Sequence, residues 1–426
     1  MNFSKPMKYP ETALIKQKLY FLTIKDIPAA VSSTLSVLPS FLINSGETVA
    51  VAVGSRGISR IDTVVYYCIK FLKDKGLKPF IVPAMGSHGG ATADGQKAVL
   101  AKLGITESTM SVPIIADMEV ACIGRLPNGV KIFFSKTALK ADRIVVINRV
   151  KPHTKFSADI ESGLCKMLTI GLGQNVGATE FHNGALCHTF GIIENAAEVV
   201  ISRTNILFGL ALLEDGYGNL GRIEAILPAS LIEREKILLK DSAQMMGRIP
   251  FDFLDILIID FIGKEISGIG MDSNITGRHR DITGDFFTAP HPKRIFVRDL
   301  SPDSDGNGNG IGLADVTTKR LVDALDLAKT YTNALTAISP EKAAIPIHFN
   351  TDRQSLDACV KTLGLESIEK ARVVRIRDTA TLEFLQISKA LEPEVSSNPN
   401  VEQITPWQPL RFDENGNLTE LLYDLP

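Results

Sequence analysis

The stretch 48-TVAVAVGSRG-57 decides the fold. Its first six residues carry no charge and are mostly small or β-branched, the pattern of a strand buried on both faces of a parallel sheet, and Gly54-Ser55-Arg56-Gly57 then breaks it into a loop. Upstream, beyond an N-terminal arm, Ile27 to Ile43 predicts a helix. Downstream, Val64, Val65, Cys68, Ile69 and Leu72 share one face of an amphipathic helix. A second strand, Phe80 to Ala84, opens into Met85-Gly-Ser-His-Gly-Gly90, and a helix follows from about Thr92 to Leu103. A third strand, Arg143 to Asn148, ends at Lys151-Pro152-His153. Parallel strands bring their ends together, so Arg56, His88 and His153 converge on one carboxyl edge, where open α/β sheets bind ligands.

Further along, a helix to about Ser202 leads to Ile206–Leu213 and Arg222–Ile226, a hairpin across Asp215-Gly-Tyr-Gly-Asn219, and a helix over Ala229 to Met246. At Gly247-Arg-Ile-Pro250 the pattern restarts: strands Asp255–Asp260 and Arg294–Val297, a helix Thr318–Leu335, a strand Ala343–Ile347, a helix Ser355–Leu363 and a strand Arg372–Ile376. The expectation is an α/β protein of two α/β domains with mostly parallel sheets: an N-terminal cofactor-binding domain over 1–247, a C-terminal domain over 248–392, and a tail, 393–426, packing back on the first.

Composition narrows the function. With 46 basic and 48 acidic residues the formal charge is −2, which gives no electrostatic case for nucleic acid or an acidic membrane and favours small-molecule ligands. The five cysteines are widely spaced without a C-x-x-C pair, against a disulfide framework, a zinc ribbon or a cysteine-bound iron–sulfur cluster. The opening MNFSKPMKYPETALIKQ has no apolar core of a signal peptide, and no apolar run approaches the roughly 20 residues a bilayer requires, so the cytoplasm is the expected compartment.

Chemistry gathers in Asn148 to His188, which holds three of the seven histidines (His153, His182, His188), the Ser162-Gly163 turn, and Lys166 four residues after that serine. Taken with Gly-Ser-His88 and Lys-Pro-His153, this order resembles the signature of nickel-dependent lactate racemase and its 2-hydroxyacid racemase relatives. The resemblance covers most of the first domain and is looser in the second. It implies two α/β domains with a cleft between them and a nickel-pincer nucleotide as cofactor, a pyridinium mononucleotide whose two sulfur groups hold nickel. It further implies that Lys166 anchors the cofactor through a thioamide, that Ser162, Gly163, Gly54 and Ser55 bind it, and that His182 ligates the metal. His88 and His153 would be the acid/base pair, and Arg56 would bind the carboxylate of a small 2-hydroxy acid. Proteins of cofactor biosynthesis would be partners. Val53 and Leu164 depart from the family pattern, as do Gly277, Arg278 and Arg280 after Asp272-Ser-Asn274. Lys264, Arg278 and Arg280 are the second domain's candidates for an anionic substrate group.

The same roles make physical sense without the name. The C2 hydrogen of a 2-hydroxy acid is weakly acidic, so it leaves more readily as hydride, and a cationic pyridinium accepts one. Two imidazoles from different loops can then move the hydroxyl proton on either face, their ordinary pKa lying near roughly 6.5. A guanidinium fixes a carboxylate through two parallel bonds. His188 competes with His182 as nickel ligand, and spacing favours His182. Two rival readings stand beside the leading one: a dehydrogenase-like enzyme using a free nicotinamide nucleotide, and a non-catalytic cofactor-binding protein. Asp303-Ser-Asp305-Gly-Asn307-Gly308 begins like a calcium loop but has Ala314 at its twelfth position, and reads instead as a glycine-rich loop.

Overall fold

The computed structural model describes residues 8–39, 42–55, 57–282, 288–365 and 367–419. Its strands are β1 (Glu11–Gln17), β2 (Thr48–Val53), β3 (Lys78–Pro83), β4 (Val120–Arg125), β5 (Lys131–Ser135), β6 (Arg143–Arg149), β7 (Ile206–Glu214) and β8 (Leu220–Ile226). After these come β9 (Phe253–Ile262), β10 (His291–Leu300), β11 (Val316–Thr318), β12 (Ile347–Phe349), β13 (Val373–Ile376), β14 (Phe384–Ser388), β15 (Val401–Gln403) and β16 (Gln408–Pro409). The chain divides into two compact units: residues 21–246, and residues 1–20 joined with residues 247–426. Among the described residues no helix is long and apolar enough to cross a membrane.

In the 21–246 unit a five-stranded sheet has the order β3-β2-β6-β7-β8, parallel except for the β7/β8 hairpin. Alternation along β2 explains its composition. Val49, Val51 and Val53 enter one apolar cluster and Ala50 and Ala52 the other, all nearly or wholly buried, because successive side chains leave opposite faces of a covered sheet. The helix Ile61–Asp74 supplies Ile61, Val64, Val65, Cys68, Ile69 and Leu72 to the first cluster. Thr92 starts the helix Ala93–Lys102 by accepting the Gly95 N–H at 3.1 Å. Asp215 shapes the β7/β8 turn by accepting the N–H groups of Tyr217 (3.0 Å) and Asn219 (2.9 Å).

The other unit is built on a larger sheet that, among the described residues, has nine strands in the order β12-β11-β10-β9-β13-β14-β1-β15, with β16 also on β1. Strands β9 to β13 are parallel to one another; β14 pairs antiparallel with β13 and β1, and β15 and β16 pair antiparallel with β1. Here the arm and the tail depart from expectation. The arm is a strand, β1, held between β14 (Ala13 opposite Ile387) and β15 (Ile15 opposite Gln403). Strands β15 and β16 of the tail therefore belong to the sheet of the unit that holds residues 247–426, where main-chain ladders on both sides of β1 satisfy its donors and acceptors. The helix expected over Thr318–Leu335 is cut in two, Lys319–Asp323 and Leu327–Thr336, since Asp326 caps a fresh start by accepting the Lys329 N–H at 3.0 Å.

Candidate active site at the carboxyl edge of the five-stranded sheet

Strand order locates the site. From β2 the chain crosses to β3 on one side, whereas β6, on the other side of β2, connects onward to β7. Connections leaving in opposite directions open a crevice at the carboxyl ends of β2 and β6, the switch point where such sheets bind ligands. Gly54 and Ser55 follow β2, the loop to His88 follows β3, and His153 follows β6. Arg56 lies outside the described residues.

The first two loops meet directly. Ser55 Oγ and His88 Nδ1 share a hydrogen bond. Gly86 has φ +58°, in the left-handed region, and its N–H donates to the Gly171 carbonyl at 3.1 Å. Buried Gln96 donates to both the Gly86 carbonyl (3.1 Å) and Gln174 Oε1 (2.9 Å), and Gln174 donates to the Pro83 carbonyl at 3.0 Å. Gln174 itself takes φ +52° at the start of the helix Gln174–His188, a costly conformation that this amide pair holds in place. The His88 loop is thus fastened to the element that carries His182.

The third loop folds back on itself. Lys151 and Ser162 exchange main-chain hydrogen bonds (2.8 and 3.3 Å), and Asn148 Nδ2 donates to the Gly163 carbonyl at 3.0 Å. Within the loop, the Glu161 carboxylate accepts the His153 N–H and, at 3.1 Å, the Ala158 N–H. The Lys155 N–H donates to His153 Nδ1 at 3.0 Å, so the neutral imidazole keeps its proton on Nε2. His153 stacks on Phe156 (centroids 4.4 Å), Phe156 on Phe190 (4.2 Å), and Phe190 meets His182 edge-on at 6.0 Å. Lys155, 5% exposed, lays its ammonium 5.5 Å from the Phe190 ring centre. One continuous aromatic array therefore joins His153 to His182.

Lys166 ends a short helical turn, Leu164–Lys166, that runs into a π-helical turn, Met167–Gly171, an irregularity frequent at functional sites. The lysine is half-buried, and its charge acts on Glu161. Burial pushes the Glu161 carboxyl above its ordinary value, against the N–H groups of His153 and Ala158, the Ser157 hydroxyl and the Lys166 charge, which pull it down. Beneath the turn, Glu235 accepts the Cys165 N–H at 2.9 Å, and burial raises its carboxyl to about 7. Gly163 leaves room for this carboxyl: a Cβ on it would collide with Glu235 Oε1, which would have to shift. Burial and Glu235 push the Cys165 thiol up, which keeps it protonated and inert. A Cβ on Gly54 would stand 3.2 Å from the Met167 side chain, so the Lys166 segment also abuts the loop of Ser55 and His88.

The structure thus brings Gly54, Ser55, His88, His153, Ser162, Gly163, Lys166 and His182 into one linked set, with His182 half-buried against Phe190 and His188 exposed at its helix end. Lys264, Arg278 and Arg280 lie in the other unit. Lys264 donates to Asn333 at 2.5 Å, Arg278 is held by Asp315 (2.9 Å) and the Pro292 carbonyl (3.0 Å), and Arg280 donates to the Gly312 carbonyl at 2.8 Å. Sequence reasoning missed Glu161, Glu235, Gln96, Gln174, Phe156 and Phe190. Only the acid at 161, beside the Ser162-Gly163 turn, offered a local signal.

Among the described residues no three His, Cys, Asp or Glu side chains gather as they would around a metal ion. No curated protein matches the chain. Among solved structures it is similar to a protein from Thermotoga maritima, at 15% identity over 76% of this chain and 84% of that one, with a TM-score of 0.49. Another is the lactate racemase apoprotein from Thermoanaerobacterium thermosaccharolyticum, at 15% identity over 91% and 92%, with a TM-score of 0.47. Residues 38–190, which hold β2, β3, β6 and every linked site residue, match the lactate racemase N-terminal domain family.

Proposed function

We propose that the protein is a racemase or epimerase that inverts the hydroxyl-bearing C2 of a 2-hydroxy acid, with a nickel-pincer nucleotide tethered at Lys166. The observation that carries the reading is a half-buried lysine at the switch point, linked through Glu161 to one imidazole and through Met167, Gly54 and Ser55 to another.

The residues fit the cofactor on chemical grounds. Lys166 would tether the nucleotide and the His182 imidazole, a nitrogen donor suited to nickel, would hold its metal. Gly54 and Gly163 keep the main chain bare where the tether turn meets its neighbours. When bound, the nucleotide supplies a pyridinium carbon able to take a hydride from C2 and return it.

The chain's own residues do the rest. His153, its Nδ1 engaged by the Lys155 N–H, presents Nε2 to the substrate hydroxyl; His88, braced by Ser55, serves the opposite face. Arg56 holds the carboxylate and fixes the rotation of C2. Lys264, Arg278 and Arg280 have their charges engaged within their own unit, so the proposal gives them no substrate contact. The apolar faces of Phe156 and Phe190 keep water from the acid/base pair.

Intact-protein mass spectrometry after expression with nickel and the cofactor-assembling proteins tests the reading. A covalent adduct abolished by Lys166→Ala, followed by inversion of a 2-hydroxy acid in deuterated water with C2 left undeuterated, is expected. Turnover that needs added free nicotinamide nucleotide and survives Lys166→Ala would replace the reading with a dehydrogenase. A tethered adduct with no turnover across a panel of hydroxy acids would leave a cofactor-binding protein.

A further inference from the structure

The two imidazoles of the acid/base pair have different partners at Nδ1. His153 accepts the Lys155 main-chain N–H there at 3.0 Å, and a main-chain N–H can only donate. A proton on His153 Nδ1 would set two N–H groups against each other, so the ring keeps its proton on Nε2 for as long as that bond lasts. The surroundings hold it in place. The ring stacks on Phe156 (centroids 4.4 Å), Glu161 accepts the His153 N–H, and buried Lys155 lays its ammonium 5.5 Å from the Phe190 ring centre. His88 is served differently, because its Nδ1 meets Ser55 Oγ, a hydroxyl that both donates and accepts. Its loop is fixed too, by the His88 N–H on the Met85 carbonyl (3.2 Å) and by Gln96 on the Gly86 carbonyl (3.1 Å). What separates the two rings is the direction in which each Nδ1 partner can bond.

We propose that the pair is unequal: Ser55 is a positioning residue that lets His88 exchange a proton at Nε2 with its contacts intact, whereas His153 is latched as a hydrogen-bond donor by the Lys155 N–H. Resting on the acid/base reading above, the inference adds which ring is the resting base. With Nδ1–H donated to Ser55 Oγ, His88 offers a lone pair at Nε2. As the substrate O–H bond breaks and leaves its electron pair on oxygen, an Nε2–H bond forms on His88; the ring becomes an imidazolium and Nδ1–H stays on Ser55. His153 has no such route. Its Nε2–H binds the substrate oxygen, and the ring takes up a proton only after it leaves the Lys155 N–H.

Long-range proton–nitrogen correlation NMR of the histidine rings, recorded on isotope-labelled protein without cofactor at a pH where both rings are neutral, reads which nitrogen carries the proton. Signals are assigned by their loss in His88→Gln and His153→Gln. The wild-type spectrum is expected to show His153 in the Nε2–H form and His88 in the Nδ1–H form. In Ser55→Ala the ratio of Nδ1–H to Nε2–H at His88 should fall about fivefold, the weight of one net hydrogen bond, while the His153 signals stay put. Ser55→Thr keeps the hydroxyl and restores the wild-type ratio. His153 in the Nδ1–H form, His88 in the Nε2–H form, or a His88 ratio indifferent to Ser55→Ala would overturn the proposal. If Ser55→Ala does not fold, the wild-type spectrum decides by itself. No cofactor enters these measurements, so a missing adduct at Lys166 defeats the tether reading and leaves this one standing, and reversed tautomers do the opposite.

Discussion

Buried charge is handled in opposite ways by the two units. In the larger sheet, Asp260 on β9 accepts from Arg298 on β10 (2.8 Å) and Arg375 on β13 (2.8 Å), while Asp352 takes Arg298 (2.7 Å) and Arg320 (2.7 Å). Asp260 and Asp352 are wholly buried, and the arginines also bond the Leu418 and Thr419 carbonyls (both 2.9 Å). Each charge there meets its opposite. In the 21–246 unit, Glu235 is equally buried, yet it meets no cation: its donors are the Cys165 N–H (2.9 Å), the Cys165 thiol and the Leu164 N–H. A compensated network holds a sheet together; a nearly uncompensated carboxyl is tolerated where a reactive turn needs an acceptor.

The contrast can be broken most forcefully at Asp260. Asp260→Ala leaves buried Arg375 without its carboxylate and Arg298 with Asp352 alone, and is expected to cost about 3–5 kcal/mol in urea unfolding; a cost under about 1 kcal/mol would mean the network is not what holds β9, β10 and β13. Next is Glu235→Gln, whose effect depends on pH. The wild-type carboxyl is neutral in folded and unfolded chains below its ordinary value of 4.5, so stability there is undiminished. As pH rises toward about 7 only the unfolded chain ionises, and stability falls until the folded group ionises too. Glu235→Gln lacks this slope, so the two proteins should diverge by about 3 kcal/mol over that interval, on the order of 1.4 per pH unit. Parallel curves would show that the carboxyl is not held in its buried form.

Gly163→Ala is a smaller probe of the same place. Its methyl group needs the space of Glu235 Oε1 and should cost about 1–3 kcal/mol, much of it recovered in Gly163→Ala/Glu235→Ala. Without that recovery, the crowding lies elsewhere. At the bottom of the scale, Lys70→Ala removes an exposed pair with Asp74 and should leave the thermal midpoint unmoved.

How much of this was legible depended on the range of the forces involved. Strands β2, β3 and β6 were readable because their apolar runs and glycine loops are local, and the β7/β8 hairpin because Asp215 writes its own turn. The pairing of β1 with β14 was not, since Ala13 and Ile387 have no local signature of each other. Nor was the break between the helices Gln174–His188 and Ile192–Arg203, where Thr189 adopts φ +60° and turns the chain so that Phe190 is buried. In the site, residues defined by their own chemistry stood out, whereas Glu235 and Gln96 do their work through partners far along the chain.

The arm has a bearing on assembly order. A nascent chain presents β1 long before β14 and β15 exist, while the strands of the five-stranded sheet all lie between residues 48 and 226. The site-bearing unit can consolidate with its own sequence alone; the other must keep a slot open in mid-sheet and recover a segment made some 370 positions earlier. Severing the chain near residue 20 would therefore rob the distant unit, not the adjacent one, of a strand.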